Sequence, residues 1–183
     1  VWYNRPMKLL IPSAKELNEQ ARIVEPQPLS EKTKTILQAL KAFSLEELAT
    51  FYGISEERAL VEKERIEALL AGSAKTYPAL ELFDGLMYRS IERQDLSEKE
   101  QAYLQEHLLI TTALYGVLPA YKGIAPHRLD FMMKLKPAGK SLKAFWKEDY
   151  DQAVEGEEQI LSLLSSEFEQ VFSKAIRERM IRI

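Results

Sequence analysis

The sequence contains no cysteine and only two histidines, His107 and His127. Without cysteine there is no disulfide, no thiolate-bound metal and no cysteine nucleophile, and two histidines are too few for a histidine-built metal centre. No apolar run approaches the ~20 residues of a membrane helix. Nothing ahead of the first strand reads as a secretion signal, and VWYNRP before Met7 reads as an appended remnant outside the fold. Low-complexity stretches and compositional breaks are also missing. These absences predict a cytoplasmic domain with no membrane contact, no metal ligand set and no resident cofactor.

What is present is ordinary in bulk and uneven in place. The 183 residues are 46% hydrophobic and 29% charged, with a formal net charge of −3. That length suits one domain burying roughly 70% of its unfolded surface. From Tyr121 to Lys147, however, seven Lys or Arg face one acid, Asp130, so the segment carries +6 and the remainder −9. A basic region on an acidic protein marks a surface for an anion.

The pattern alternates strands with helices. Strands are predicted at 7–11 (MKLLI), 109–112 (LITT), 128–135, 159–164 (QILSLL) and 179–183 (RMIRI). Ser30 caps a helix with Ile36, Leu37, Leu40 and Phe43 at helical spacing. Ser44 with Glu47 forms a capping box before a helix that stops at Gly53, and Ser55 opens a third helix that runs to Gly72. Pro78 starts a short helical turn, residues 86–91 fit either helix or strand, and Ser97 with Glu100 opens another helix. A further helix starts near Ser141, and Ser165-Ser166-Glu167 opens the next. Together these predict a mixed α/β fold of the α+β kind: a single compact domain whose central sheet is flanked by helices. The last strand ends without a turn or cap, as if the chain were cut in mid-fold.

Three motifs invite specific chemistry. PAGKSL matches the end of a P-loop, but the position of that motif's first glycine holds Lys134, so the phosphate cradle is missing. LATFYGISEERAL resembles a helix-turn-helix. Its second helix carries Glu56, Glu57, Glu62, Glu64 and Glu67, which would meet phosphates with negative charge, so an ordinary helical hairpin is expected. Ser165, Ser166 and Glu167 could grip an anion at a helix start, with plain N-capping by serine the favoured alternative. Phe145 and Trp146 read as core, while Tyr115 and Tyr121, in a loop rich in Gly and Pro, are candidates for stacking.

Several separated motifs resemble the YaaA peroxide-stress protein family over 7–183. They are Pro12-Ser13-Ala14-Lys15, Phe83-Asp84-Gly85 with Tyr88, Leu114-Tyr115-Gly116 with Leu118, and Pro126-His127-Arg128-Leu129. Gly139-Lys140 with Leu142, Phe145 and Trp146 follows, then Leu164-Ser165-Ser166-Glu167-Phe168. The resemblance implies a compact mixed α/β fold, binding to duplex, damaged or branched DNA through a positive cleft, and a role in limiting free iron and oxidative DNA damage. A helix-hairpin-helix element is associated with DNA binding in the family, and no residue here is assigned to it. The sequence departs from the family pattern in four ways. Pro119-Ala120 stands where many members have Arg-Pro, His127 replaces a usual tyrosine, and the first motif has its serine and proline exchanged. The family's C-terminal part, with a Lys-Lys-Ala-Arg-Gly run, is absent.

The leading expectation is therefore a stress-response protein that binds DNA independently of sequence, with Lys15, Tyr88, Arg89, Tyr115, Arg128, Lys134, Lys136, Lys140, Ser165 and Ser166 lining the cleft. The rival is an enzyme acting on DNA or a phosphorylated small molecule, with Lys15, Arg128 and Ser166 in the site and Glu167 as general base. A third reading is a scaffold whose basic face meets an acidic partner. The oligomeric state stays open.

Overall fold

A computed structural model describes residues 7–183. The remnant expected at 1–6 lies outside the described residues. In chain order the first elements are β1 (Met7–Pro12), α1 (Glu31–Lys41), α2 (Leu45–Tyr52), α3 (Glu56–Ala71), β2 (Tyr77–Pro78), α4 (Ala79–Leu82) and α5 (Leu86–Arg89). Then come α6 (Glu98–His107), β3 (Leu108–Thr111), β4 (Val117–Pro119), β5 (Gly123–Ile124) and a 3-10 turn (Pro137–Gly139). The chain finishes with α7 (Leu142–Gln152), β6 (Gln159–Ser162), α8 (Ser166–Glu169), α9 (Lys174–Arg179) and β7 (Met180–Arg182).

Five strands form one mixed sheet in the order β4-β3-β1-β6-β7, and β2 pairs with β5 in a small antiparallel ribbon. β1, β3, β6 and β7 run parallel, while β4 returns antiparallel on β3. The central strands β1 and β3 are apolar on both sides because both sheet faces are covered there, whereas the edge strand β7 leaves Ile181 and Arg182 exposed. Leu10, Leu109 and Ile160 point into one core with Ile36, Leu37 and Trp146. Ile11, Leu108 and Ile110 point into a second core with Leu80, Phe83 and Tyr88.

The helix ends follow local chemistry. Ser30, Ser55 and Ser141 each accept a hydrogen bond from the third helical amide. Ser44–Glu47 and Ser97–Glu100 close reciprocal capping boxes. Gly53 and Gly72 end α2 and α3 in left-handed conformation, which glycine adopts without a Cβ penalty. The α2–α3 pair is thus a helical hairpin packed on α1. Glu62 is buried within it and held by Arg65 at 3.0 Å.

One strand expectation fails. Residues 128–135 form no strand, although their alternation is real: Phe131 and Leu135 are buried while Met132, Lys134 and Lys136 are exposed. The amides that a ladder would use are taken by carboxylates instead. Phe131 N donates to Glu167 Oε1 (3.1 Å) and Met132 N to Asp130 Oδ1 (2.9 Å). The segment is a strap pinned by side chains, and it passes into the Pro137–Gly139 turn, where Ala138 and Gly139 both have positive φ.

Candidate anion site at the strand ends

In sheets of this kind, ligands gather outside the carboxyl ends of the parallel strands. Here β1 ends into Ser13-Ala14-Lys15, β3 into Thr112–Gly116, and β6 into the turn before α8. The first exit is fixed by Ser13 N donating to Thr111 O (3.0 Å) and by the Tyr88 hydroxyl donating to Pro12 O (2.6 Å). The second is held from every side. Thr112 Oγ1 accepts from Tyr115 N and donates to Gly116 O, each at 2.9 Å. Trp146 Nε1 donates to Ala113 O and the Tyr150 hydroxyl to Thr112 O, both at 2.7 Å. Gly116 has φ +75°, and a Cβ there would stand 2.8 Å from the Trp146 ring.

Against these exits the strap closes a small cavity of about 90 Å³. Ser13, Ala14 and Lys15 form one wall, residues 127–130 a second, and Glu167 with Phe168 a third. Lys15 is extended into solvent, its side chain 80% exposed, with Nζ 3.7 Å from Asp130 Oδ2. Asp130 and Glu167 both anchor the strap, so their charge is partly committed to backbone amides. Arg128 turns toward the α2–α3 hairpin: its Nε is buried with no hydrogen-bond partner, its guanidinium lies 5.9 Å from the Tyr52 ring centroid, and its charge opposes the rise that burial imposes on the Glu62 pKa. An unpartnered guanidinium N–H in the wall of a cavity can donate to an oxyanion.

His127 is a neutral part of this wall. Its Nδ1 lies 2.9 Å from Ala125 O, which can only accept, so Nδ1 carries the proton. Burial pushes its pKa down to about 4, against a smaller opposing effect of that hydrogen bond. The ring sits edge-on to Tyr115 (5.2 Å) and Phe83 (6.2 Å). Ser13 and Asp130 were not among the sequence candidates, whereas His127 beside Arg128 fits either a phosphate contact or a plain surface pair by sequence. The usable signal was position: Ser13 directly follows a buried strand, and Asp130 is the one acid in the basic segment.

The remaining candidates divide. Tyr88 does not line the cavity. It is 1% exposed, and burial raises its phenol well above the ordinary range. Tyr115 is half-buried and lines the cavities beside α1 and not this one. Its hydroxyl accepts from Ala125 N at 3.0 Å, and burial pushes its pKa up to about 12. The Tyr121 hydroxyl is buried too, without a hydrogen-bond partner. Arg89 is exposed but neutralised by Glu16 and by Asp84 (3.6 Å). Ser165 stands at the N-cap of α8 without making the expected side-chain capping bond, because the four-residue helix closes through backbone bonds to the Ser165 and Ser166 carbonyls. Both serines are exposed.

Lys134, Lys136 and Lys140 are exposed on the outer side of the strap and its following turn, and form no ion pair among the described residues. Lys15, Arg128 and Glu167 thus meet at one cavity, with a lysine-bearing strap leading away from it. No group of three or more His, Asp or Glu residues that could hold a metal lies among the described residues.

A mixed, mostly parallel sheet flanked by helices makes this an α/β protein. The family model described as "Peroxide stress protein YaaA" matches residues 7–183. A UPF0246 protein of Streptococcus gordonii is 58% identical over 176 residues, covering 96% of this chain and 72% of that protein. A UPF0246 protein of Streptococcus sanguinis is 59% identical, and one of Streptococcus pneumoniae 55%, each over 175 residues with the same coverage. The chain belongs to the YaaA peroxide stress protein family, which places it among stress-related proteins. No described helix is long and apolar enough to cross a membrane.

Proposed function

We propose that the chain binds DNA along its phosphate backbone, without reading base sequence. In the peroxide-stress response it would shield DNA, duplex or damaged, and help restrain the free iron that drives peroxide damage. The observation that carries this reading is the strap. Its inward residues Phe131 and Leu135 anchor it, so Lys134 and Lys136 are held outward on one side, Lys140 follows at the turn, and Arg128 sits at its root. Lysines spaced along a fixed segment suit a repeating phosphate charge, and an arginine at the root can grip one phosphate with two N–H groups.

The test is binding to several unrelated duplexes by the unaltered chain and by Arg128→Ala and Lys140→Ala. Both variants should weaken binding by a similar factor on every duplex. Full retention of affinity in both would remove the strap from the account.

A second reading has one observation in its favour. Lys15, Arg128 and Glu167 converge on a cavity of about 90 Å³ at the ends of β1 and β6, where catalytic groups of such sheets gather. In that reading the cavity holds a phosphate of DNA or of a small molecule, and Glu167 is the base. Turnover of a phosphate ester that is lost in Glu167→Gln, with DNA affinity unchanged, would favour it.

A further inference from the structure

We propose that a second cavity, between the first turn of α1, the end of α3 and β5, binds a small organic anion with an apolar body. The cavity measures about 460 Å³. That size falls within the range of small-molecule sites, which pair apolar walls with a few placed polar groups. Leu69, Leu70, Leu118 and Ala74 form the apolar wall, and Pro26 and Pro28 form the lip.

The lip is built rather than loose. Val24 N donates to Thr76 O (2.8 Å) and Thr76 Oγ1 donates back to Val24 O (2.6 Å). Gly123 packs so closely that a Cβ there would stand 3.0 Å from Val24 Cγ2. The two prolines stiffen the segment between this bridge and α1. A cavity held open this way needs little ordering when it takes a ligand.

The charge at the mouth selects the occupant. No Asp or Glu lines the cavity among the described residues, whereas Lys34 and Lys122 do. Lys34 is already paired with Glu31 at 2.8 Å. Lys122 Nζ donates to the neutral side-chain amide of Gln27 and forms no ion pair among the described residues, and its backbone is fixed by bonds from Ala79 N to its carbonyl and from its own N–H to Pro119 O. The N-terminal end of the 11-residue α1 faces the same mouth through Ser30 and Thr33, but Ser30 caps the Thr33 amide and Glu31 stands in the first turn, so the positive charge at the mouth rests on Lys122. An apolar body with one carboxylate, sulfonate or phosphate satisfies both walls and mouth. This site is separate from the strap, and the inference does not depend on DNA binding.

The test uses 8-anilinonaphthalene-1-sulfonate and its uncharged counterpart N-phenyl-1-naphthylamine as fluorescent probes on the folded chain. The sulfonate should bind at one saturable site. Lys122→Glu should weaken it roughly tenfold, the scale of one charge-assisted hydrogen bond, and leave the uncharged probe unchanged. Lys122→Arg should retain binding. Ala74→Phe, which fills the cavity, should abolish binding of both probes, with circular dichroism confirming the fold. Non-saturable sulfonate binding, or equal weakening of both probes by Lys122→Glu, would overturn the proposal. Unchanged binding in a folded Ala74→Phe protein would do the same. Lys122 is at the surface, so its variants decide the matter even if the filled variant does not fold.

Discussion

Glu167 Oε1 accepts the backbone N–H of Phe131 at 3.1 Å across 36 positions of sequence. This bond joins the exit of β6 to the basic strap and adds to the anchoring by buried Phe131 and Leu135. Glu167→Ala should leave the Phe131 amide without its partner, at a cost of about 1–3 kcal/mol. Glu167→Gln keeps an acceptor and should cost less. Urea denaturation of the two variants checks the order, and equal losses would show that the bond does not hold the strap.

Gly116 makes the second strand exit possible. Its φ is +75°, and any Cβ would press on Trp146, whose own Nε1 is committed to Ala113 O. Gly116→Ala should destabilise the fold by about 2 kcal/mol or more, from backbone strain together with the steric clash. A thermal midpoint equal to that of the unaltered chain would contradict the tight packing of the 112–116 turn.

His127 predicts an acid-side loss of stability. Its pKa in the fold is about 4 against an ordinary 6.5, so the unfolded chain takes up the proton first as pH falls. Stability is then complete above pH 6.5 and declines toward pH 4, by about 2–3 kcal/mol at the lower end. His127→Gln should show a flatter profile over that window, whatever its stability at neutral pH. Denaturation curves at pH 7, 5.5 and 4 measure the difference, and parallel profiles would contradict the buried neutral ring.

Much of this fold can be read from the sequence because its signals are local. Ser30, Ser44 with Glu47, Ser97 with Glu100, Gly53 and Gly72 mark helix ends through bonds made within a few residues. β1, β3 and β6 announce themselves as apolar runs because both sheet faces are covered. The strap shows where such reading stops. Alternation at 128–135 reports which side chains face inward, but not where the amides find partners, and Glu167 and Asp130 supply them from outside any ladder.

The tyrosines illustrate the same limit. Tyr115 sits in a loop rich in Gly and Pro, and Tyr88 in a stretch that fits helix or strand, yet their hydroxyls bond to Ala125 N and Pro12 O inside the protein. Arg89 counts as a cation in the sequence and is spent on Glu16 and Asp84 in the fold. Only three-dimensional pairing separates it from Lys134, Lys136 and Lys140.

The most direct test of the strap as a phosphate track is the salt dependence of duplex binding, compared between the unaltered chain and Lys134→Ala/Lys136→Ala/Lys140→Ala. Each lysine that displaces a counterion contributes a slope of about −0.9 to log K against log salt. The triple variant should therefore be flatter by roughly 2 to 3, with the same change on every duplex sequence. A flat plot for the unaltered chain, or an identical slope in the variant, would contradict it.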